Sequence, residues 1–156
     1  MICNIMEKKA ETLFRKYKAK YIAKFGRHAL DNTEIDTFAK STFGTKYRGS
    51  YAQNEKFELK SGCYYIINTD IKTGPGIHWI SLILTPKTAY VFDSFGRDVK
   101  KLVPHLVKHI TKSGRKIVSS DRKDKEQRGL SVVCGHLSLS FLAVARDLGI
   151  RAAVKI

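Results

Sequence analysis

Residues 130 to 149, LSVVCGHLSLSFLAVARDLG, constrain the fold more than any other stretch of the chain. A helix drawn through them is apolar on almost every side, and Gly149 stops it. A helix with no polar face has to be covered all round, so this spacing predicts a buried helix around which the other elements pack. Cys134 stands where a charged loop turns into that helix. Ser131 is the expected N-cap, which puts Cys134 in the first helical turn. There the unpaired N–H groups and the helix dipole favour a thiolate. Gly135 beside it lets a substrate or another backbone come close. Free cysteine is also among the most often buried residue types, and alone Cys134 carries no more than that.

The covering elements are legible upstream. Met6, Ala10, Leu13, Phe14, Tyr17, Tyr21, Ile22 and Phe25 recur at three- and four-residue steps, which predicts an amphipathic helix over about 6–25 that Gly26 ends. A second, shorter helix is expected in NTEIDTFAKSTF, capped by Asn32 or Thr33 and closed by Gly44. Residues 44 to 61 read as a long loop or an irregular strand. CYYIINT (63–69), HWISLIL (78–84) and TAYVFD (88–93) are strands separated by turn signals, with KTGPG a loop between the first two. Residues 98 to 112 have a helical pattern that Pro104 kinks or restarts, and KIVSS (116–120) reads as a further strand. The order of helices, then strands, then helices implies an α+β domain. A chain of 156 residues without repeats or a low-complexity linker fits one domain, with its core over about 30–148.

Charge narrows the partners. Twenty-nine Lys and Arg against fourteen Asp and Glu leave +15, more than solubility requires. Such a surface attracts polyanions, DNA foremost. Lys8, Lys9, Arg15, Lys16, Lys20 and Lys24 on the outer face of the first helix are the expected contacts. Three cysteines, an odd count without metal-ligand spacing, suggest free thiols in a reducing compartment. No apolar run reaches the length of a membrane span. MICNIMEKKAETLF lacks the apolar core of a secretory signal.

The hairpin GIHWISLILTPKTAYVFDSFGR holds two polar residues that its strands do not need, His78 and Asp93. Pro86 and Lys87 make a natural turn. If Thr85 then pairs with Thr88, Ile80 faces Asp93 and His78 lies one diagonal step away on the same face. Diagonal neighbours are roughly 7 Å apart at Cα, within reach of an imidazole and a carboxylate. Such a pair also arises as a plain structural contact at a sheet end. A metal site lacks further ligands, since His105, His109 and His136 share no evident geometry with the pair. A thiolate nucleophile, however, needs a base, and the base an orienting carboxylate. Gln127, in the loop before Cys134, has an amide of the kind that serves an oxyanion hole.

HW at 78–79, DSFG at 93–96, Gln127 and CG at 134–135 occur in the order His, acid, Gln, Cys. This ordered set resembles the adenovirus-protease-like (adenain-like) cysteine peptidases, and GCYYIINTDIKTGPGIHWISL is most similar to their virophage and Polinton branch. More distantly the set resembles the SUMO- and ubiquitin-like-protein peptidases. The resemblance implies a central mixed sheet flanked by helices, papain-like, with a buried helix carrying the nucleophile. It implies Cys134 as nucleophile, His78 as general base, Asp93 as its orienting acid and Gln127 as oxyanion donor. Trp79 and Gly135 would border the substrate cleft. It further implies a thiol endopeptidase that cleaves viral capsid and structural precursors, works as a monomer in the virion interior and host-cell virus factory, and takes DNA as a possible activator. The adenovirus enzymes carry Glu where Asp93 stands. They also tether a peptide cofactor through a cysteine between the acid and the Gln, where this chain has none. The competing readings are an isopeptidase acting on ubiquitin-like modifiers and a non-enzymatic nucleic-acid-binding module.

Overall fold

The computed structural model describes residues 2–119 and 132–156. Five strands form one mixed sheet in sequence order: β1 (Tyr47–Ala52), β2 (Tyr64–Asn68), β3 (Trp79–Leu84), β4 (Thr88–Phe92) and β5 (Lys116–Ser119). β1 runs parallel to β2 and β5 parallel to β4, while β2, β3 and β4 form an antiparallel meander. Helices α1 (Ile2–Phe25), α2 (Asn32–Phe43), α5 (Cys134–Leu148) and α6 (Ile150–Ala153) cover one face. The short helices α3 (Val99–Leu102) and α4 (Pro104–Lys112) cover the other. This is the α+β architecture that the sequence predicts, with the helix bearing Cys134 buried at its centre.

The alternation of side chains along the strands explains the two faces. In β2, Tyr64 and Ile66 join the core under α1, α2 and α5, while Tyr65 and Ile67 join the core under α3 and α4. Every residue of β2 is buried, as a strand covered on both faces demands. On α5, Leu137, Leu139, Phe141, Leu142 and Val144 have no exposed surface, and each contributes about 1.5–3 kcal/mol by leaving water. Phe141 stacks on Phe92 of β4 with ring centroids 4.7 Å apart, and Phe14 of α1 meets Phe92 edge-on.

Several local expectations change. α1 begins at Ile2 rather than near Met6; its first turns expose Ile2 and Ile5, so burial there leaves no periodic signature. The cap of α2 is Asp31, not Asn32 or Thr33. Its carboxylate accepts the Glu34 N–H at 2.8 Å, and Glu34 returns a bond to the Asp31 N–H at 3.0 Å. That reciprocal box needs a Glu or Gln three residues on, a spacing that only Asp31, with Glu34, satisfies among the three. Of the two readings of the stretch after Gly44, the irregular strand holds: β1 pairs with β2 through a register shift between Tyr47 and Gly49. Pro104 restarts the helix, standing at the first position of α4 where its missing N–H costs nothing.

Candidate active site

The β3–β4 hairpin has the register expected from its turn, with Ser81 opposite Phe92 and Leu84 opposite Ala89. His78 immediately precedes β3 and Asp93 immediately follows β4, so the two share one end of the sheet. His78 Nε2 lies 2.6 Å from Asp93 Oδ1, and the residues are only 4% and 3% exposed. The His78 carbonyl accepts the Thr69 N–H at 2.8 Å, which fixes the backbone against the end of β2.

α5 brings Cys134 to the same place as its first helical residue. Val133 precedes it without a side-chain capping bond, and the expected cap Ser131 lies outside the described residues. Strand and helix are tied by two serines that are themselves fully buried. Ser81 Oγ donates to the Ser138 carbonyl at 2.8 Å, and Ser138 Oγ donates to the Trp79 carbonyl at 3.1 Å. Trp79 adjoins His78, and Ser138 stands one turn above Cys134. The two bonds therefore set the strand end holding the imidazole against the helix start holding the sulfur. With Nε2 engaged by Asp93, the other ring nitrogen is left for the hydrogen bond between His78 and Cys134.

Burial by itself pushes the Cys134 thiol up and the His78 imidazole down. Hydrogen bonds reverse both. The His78 side chain and the backbone N–H groups of Trp79 and Gly135 hold the thiol below its ordinary value. The bonds to Asp93 and to Cys134 hold the imidazole above its own. Burial likewise opposes ionisation of Asp93, but His78 and Arg97 keep its carboxyl well below the usual carboxylate range. All three directions favour a thiolate beside an imidazolium beside a carboxylate.

Arg97 was not among the residues that sequence reasoning singled out. Its Nε donates to Asp93 Oδ2 at 2.9 Å, its backbone N–H to the same oxygen at 3.0 Å, and its Nη2 to Oδ1 at 3.3 Å. The guanidinium lies over the Phe95 ring, 4.9 Å from its centroid, and that ring packs 5.1 Å from the imidazole. The signal was present in DSFGR, an acid and a cation four residues apart across a Gly-containing turn.

His78 and Cys134 open into a cleft of about 470 Å³. Leu30 and Asp31 before α2 form one wall, Ser50 to Ala52 of β1 another, and the loop containing Ile71, Pro75 and Ile77 a third. Asn68 and Asp70 shape that loop. Asn68 Oδ1 accepts the N–H groups of Asp70 and Ile77, and Asp70 Oδ2 accepts that of Gly76. A Cβ at Gly74 would stand 2.1 Å from the Asp70 carboxylate, which would have to move away from the Gly76 N–H to admit it. Trp79 lines the cleft, its indole N–H donating to the Leu30 carbonyl at 2.7 Å. Gly135 does not line it. A Cβ there would meet the Leu30 side chain at 3.2 Å, so the close approach that glycine permits is to Leu30.

Gln127 lies outside the described residues. Lys8, Lys9, Arg15, Lys16, Lys20 and Lys24 are all exposed on α1, which does not border the cleft. The other expected histidines have structural partners: the His109 ring pairs with the Phe57 carbonyl and the His136 ring with that of Gly26, while the His105 backbone N–H reaches Gln53. Among the described residues no three His, Cys, Asp or Glu side chains are grouped to hold a metal ion, and Cys3, Cys63 and Cys134 are free thiols.

Residues 41–147 match the family model described as adenovirus endoprotease. The matched span contains His78, Trp79, Asp93, Gln127 and Cys134 and leaves out α1 and most of α2. No curated protein matches the sequence.

Proposed function

The chain belongs to the adenovirus endoprotease family, and so is a cysteine endopeptidase; from that premise we propose that Cys134, His78 and Asp93 are its catalytic triad and that it matures viral capsid and structural precursors. The supporting observation is the chain of contacts from Asp93 through His78 to Cys134 at the floor of an open cleft, assembled from β3, β4 and α5.

In this reading the Cys134 thiolate attacks the scissile carbonyl carbon, and the electron pair moves onto the carbonyl oxygen. The backbone N–H of Cys134 and the Gln127 amide receive that oxyanion, each such donor being worth about 2.7–4 kcal/mol. As the intermediate collapses the C–N bond breaks, and His78 gives its proton to the leaving amine. Neutral His78 then takes a proton from water, the resulting hydroxide adds to the thioester, and the thiolate leaves with the imidazolium restored beside it. Asp93 holds the ring orientation and stabilises its charged form throughout. The steps as written require no cofactor for the chemistry.

The wider setting follows from charge. A chain at +15 repels its own copies, which favours a monomer, and is drawn to packaged DNA through the α1 cations, which would bring it to precursors inside an assembling particle or virus factory. The whole chain acts as one catalytic domain, with α1 as its DNA-facing element.

The test is cleavage of precursor structural proteins encoded with this chain, with and without duplex DNA, by wild type and by Cys134→Ala. Discrete cleavage by wild type alone is expected. Release of C-terminal Gly-Gly conjugates with the precursors left intact would instead assign the site to modifier processing.

A further inference from the structure

A second concavity lies away from the active-site cleft, where the N-terminal half of α1 passes the C-terminal end of α5. Its volume is about 540 Å³; Ile5, Leu13 and Leu148 give it an apolar floor, and Lys8, Lys9 and Lys16 stand around it. Exposed Ile2 and Met6 extend the apolar surface on the same helix. Among the described residues none of the three lysines has an ion-pair partner, so the groove joins unsatisfied positive charge to unsatisfied apolar area. Every residue that lines it falls outside the span matching the family model. The groove does not depend on the triad assignment.

We propose that this groove docks an acidic amphipathic segment of a partner protein. Three observations select that occupant. The charged residues of the wall are all lysines, so the complementary surface carries carboxylates around its rim. The floor is apolar and recessed, which suits leucine-like anchors at helical spacing. A second copy of the chain is disfavoured, since each would bring +15 to the other. Duplex DNA reaches the same three lysines through its phosphates and so competes for this face, but it offers the floor no aliphatic group. Leu148 and Cys134 are the two ends of α5, and a helix of that length separates them by about 20 Å. A docked segment thus leaves the cleft open and tethers its parent protein within reach of the nucleophile, which raises the effective concentration of any cleavable site it carries.

The probe is a labelled synthetic helix with leucines at i, i+3, i+4 and i+7 and glutamates elsewhere, titrated by fluorescence anisotropy against the full-length chain. Binding is expected to weaken about tenfold in Ile5→Asp and at least as much in the double variant Lys9→Glu with Lys16→Glu. Ile5 is more than half exposed, so neither change threatens the fold, and retained thermal unfolding checks this. A companion peptide with serines in place of the leucines should not bind. The proposal is overturned if both peptides bind alike or if Ile5→Asp changes nothing, because the lysines are then a polyanion surface alone and the apolar floor takes no part. It is overturned equally if neither peptide binds, whether or not phosphatidylserine vesicles capture the chain through Ile2 and Ile5.

Discussion

Arg97 governs how Asp93 divides its charge. The carboxylate serves two cations at once, and Oδ1 receives both the His78 ring at 2.6 Å and the guanidinium at 3.3 Å. Replacing Arg97 by Gln leaves the full negative charge to His78, which stabilises the imidazolium further. The alkaline limb of the pH–rate profile, where that imidazolium deprotonates, should therefore move upward. The rate on the plateau should fall about tenfold as the carboxylate loses orienting bonds. Arg97→Lys, which keeps the charge but not the fork, should restore the limb more than the rate. A limb that stays in place while only stability changes would reduce Arg97 to packing. At this scale His78, Asp93 and Cys134 were legible in sequence because an even turn and a helix start fix them locally. Arg97 was not, because its partnership depends on how the turn after β4 closes. Asp31 was displaced in the reading by its neighbours Asn32 and Thr33, since all three are good caps and only the Glu34 spacing decides among them.

Among the elements, the junction between β3 and α5 carries the greatest functional weight. Ser81 and Ser138 have no exposed surface, and their bonds hold the strand bearing His78 against the helix bearing Cys134. Ser138→Ala orphans the Trp79 carbonyl on that side and should cost about 1–2 kcal/mol in denaturant unfolding. Activity should fall by more than the folded fraction does, because the relative placement of sulfur and imidazole loosens. Equal losses of activity and folded protein would show that the serine only stabilises. The meander β2–β3–β4 and the buried helix were readable from apolar runs and turn residues. β1 was obscured, since YRGSYA mixes burial classes and pairs in parallel with β2 through a connection that no local signal announces. The first turns of α1 were missed for a related reason. Their apolar residues face outward, so no buried face marks where the helix starts.

For the whole molecule, the order His, acid, Gln, Cys named the family before any geometry, while charge suggested the partner. If six α1 cations each neutralise a phosphate, log affinity for duplex DNA should fall with log salt at a slope of about −5. Sequence preference should be slight, because the predicted contacts are to phosphates. A slope near zero in an anisotropy titration would contradict the DNA assignment. The central claim is that the three buried side chains form one reactive unit. The measurement that tests it most directly is the pH dependence of iodoacetamide alkylation at each cysteine, read by mass spectrometry in wild type and in His78→Ala. Exposed Cys3 and buried Cys63 serve as internal references. The account predicts that Cys134 reacts fast well below pH 7, where an ordinary thiol with a pKa of about 8.5 is protonated, and that His78→Ala abolishes this. A Cys134 that titrates like an ordinary thiol in wild type, or that keeps its acid reactivity without His78, would contradict it.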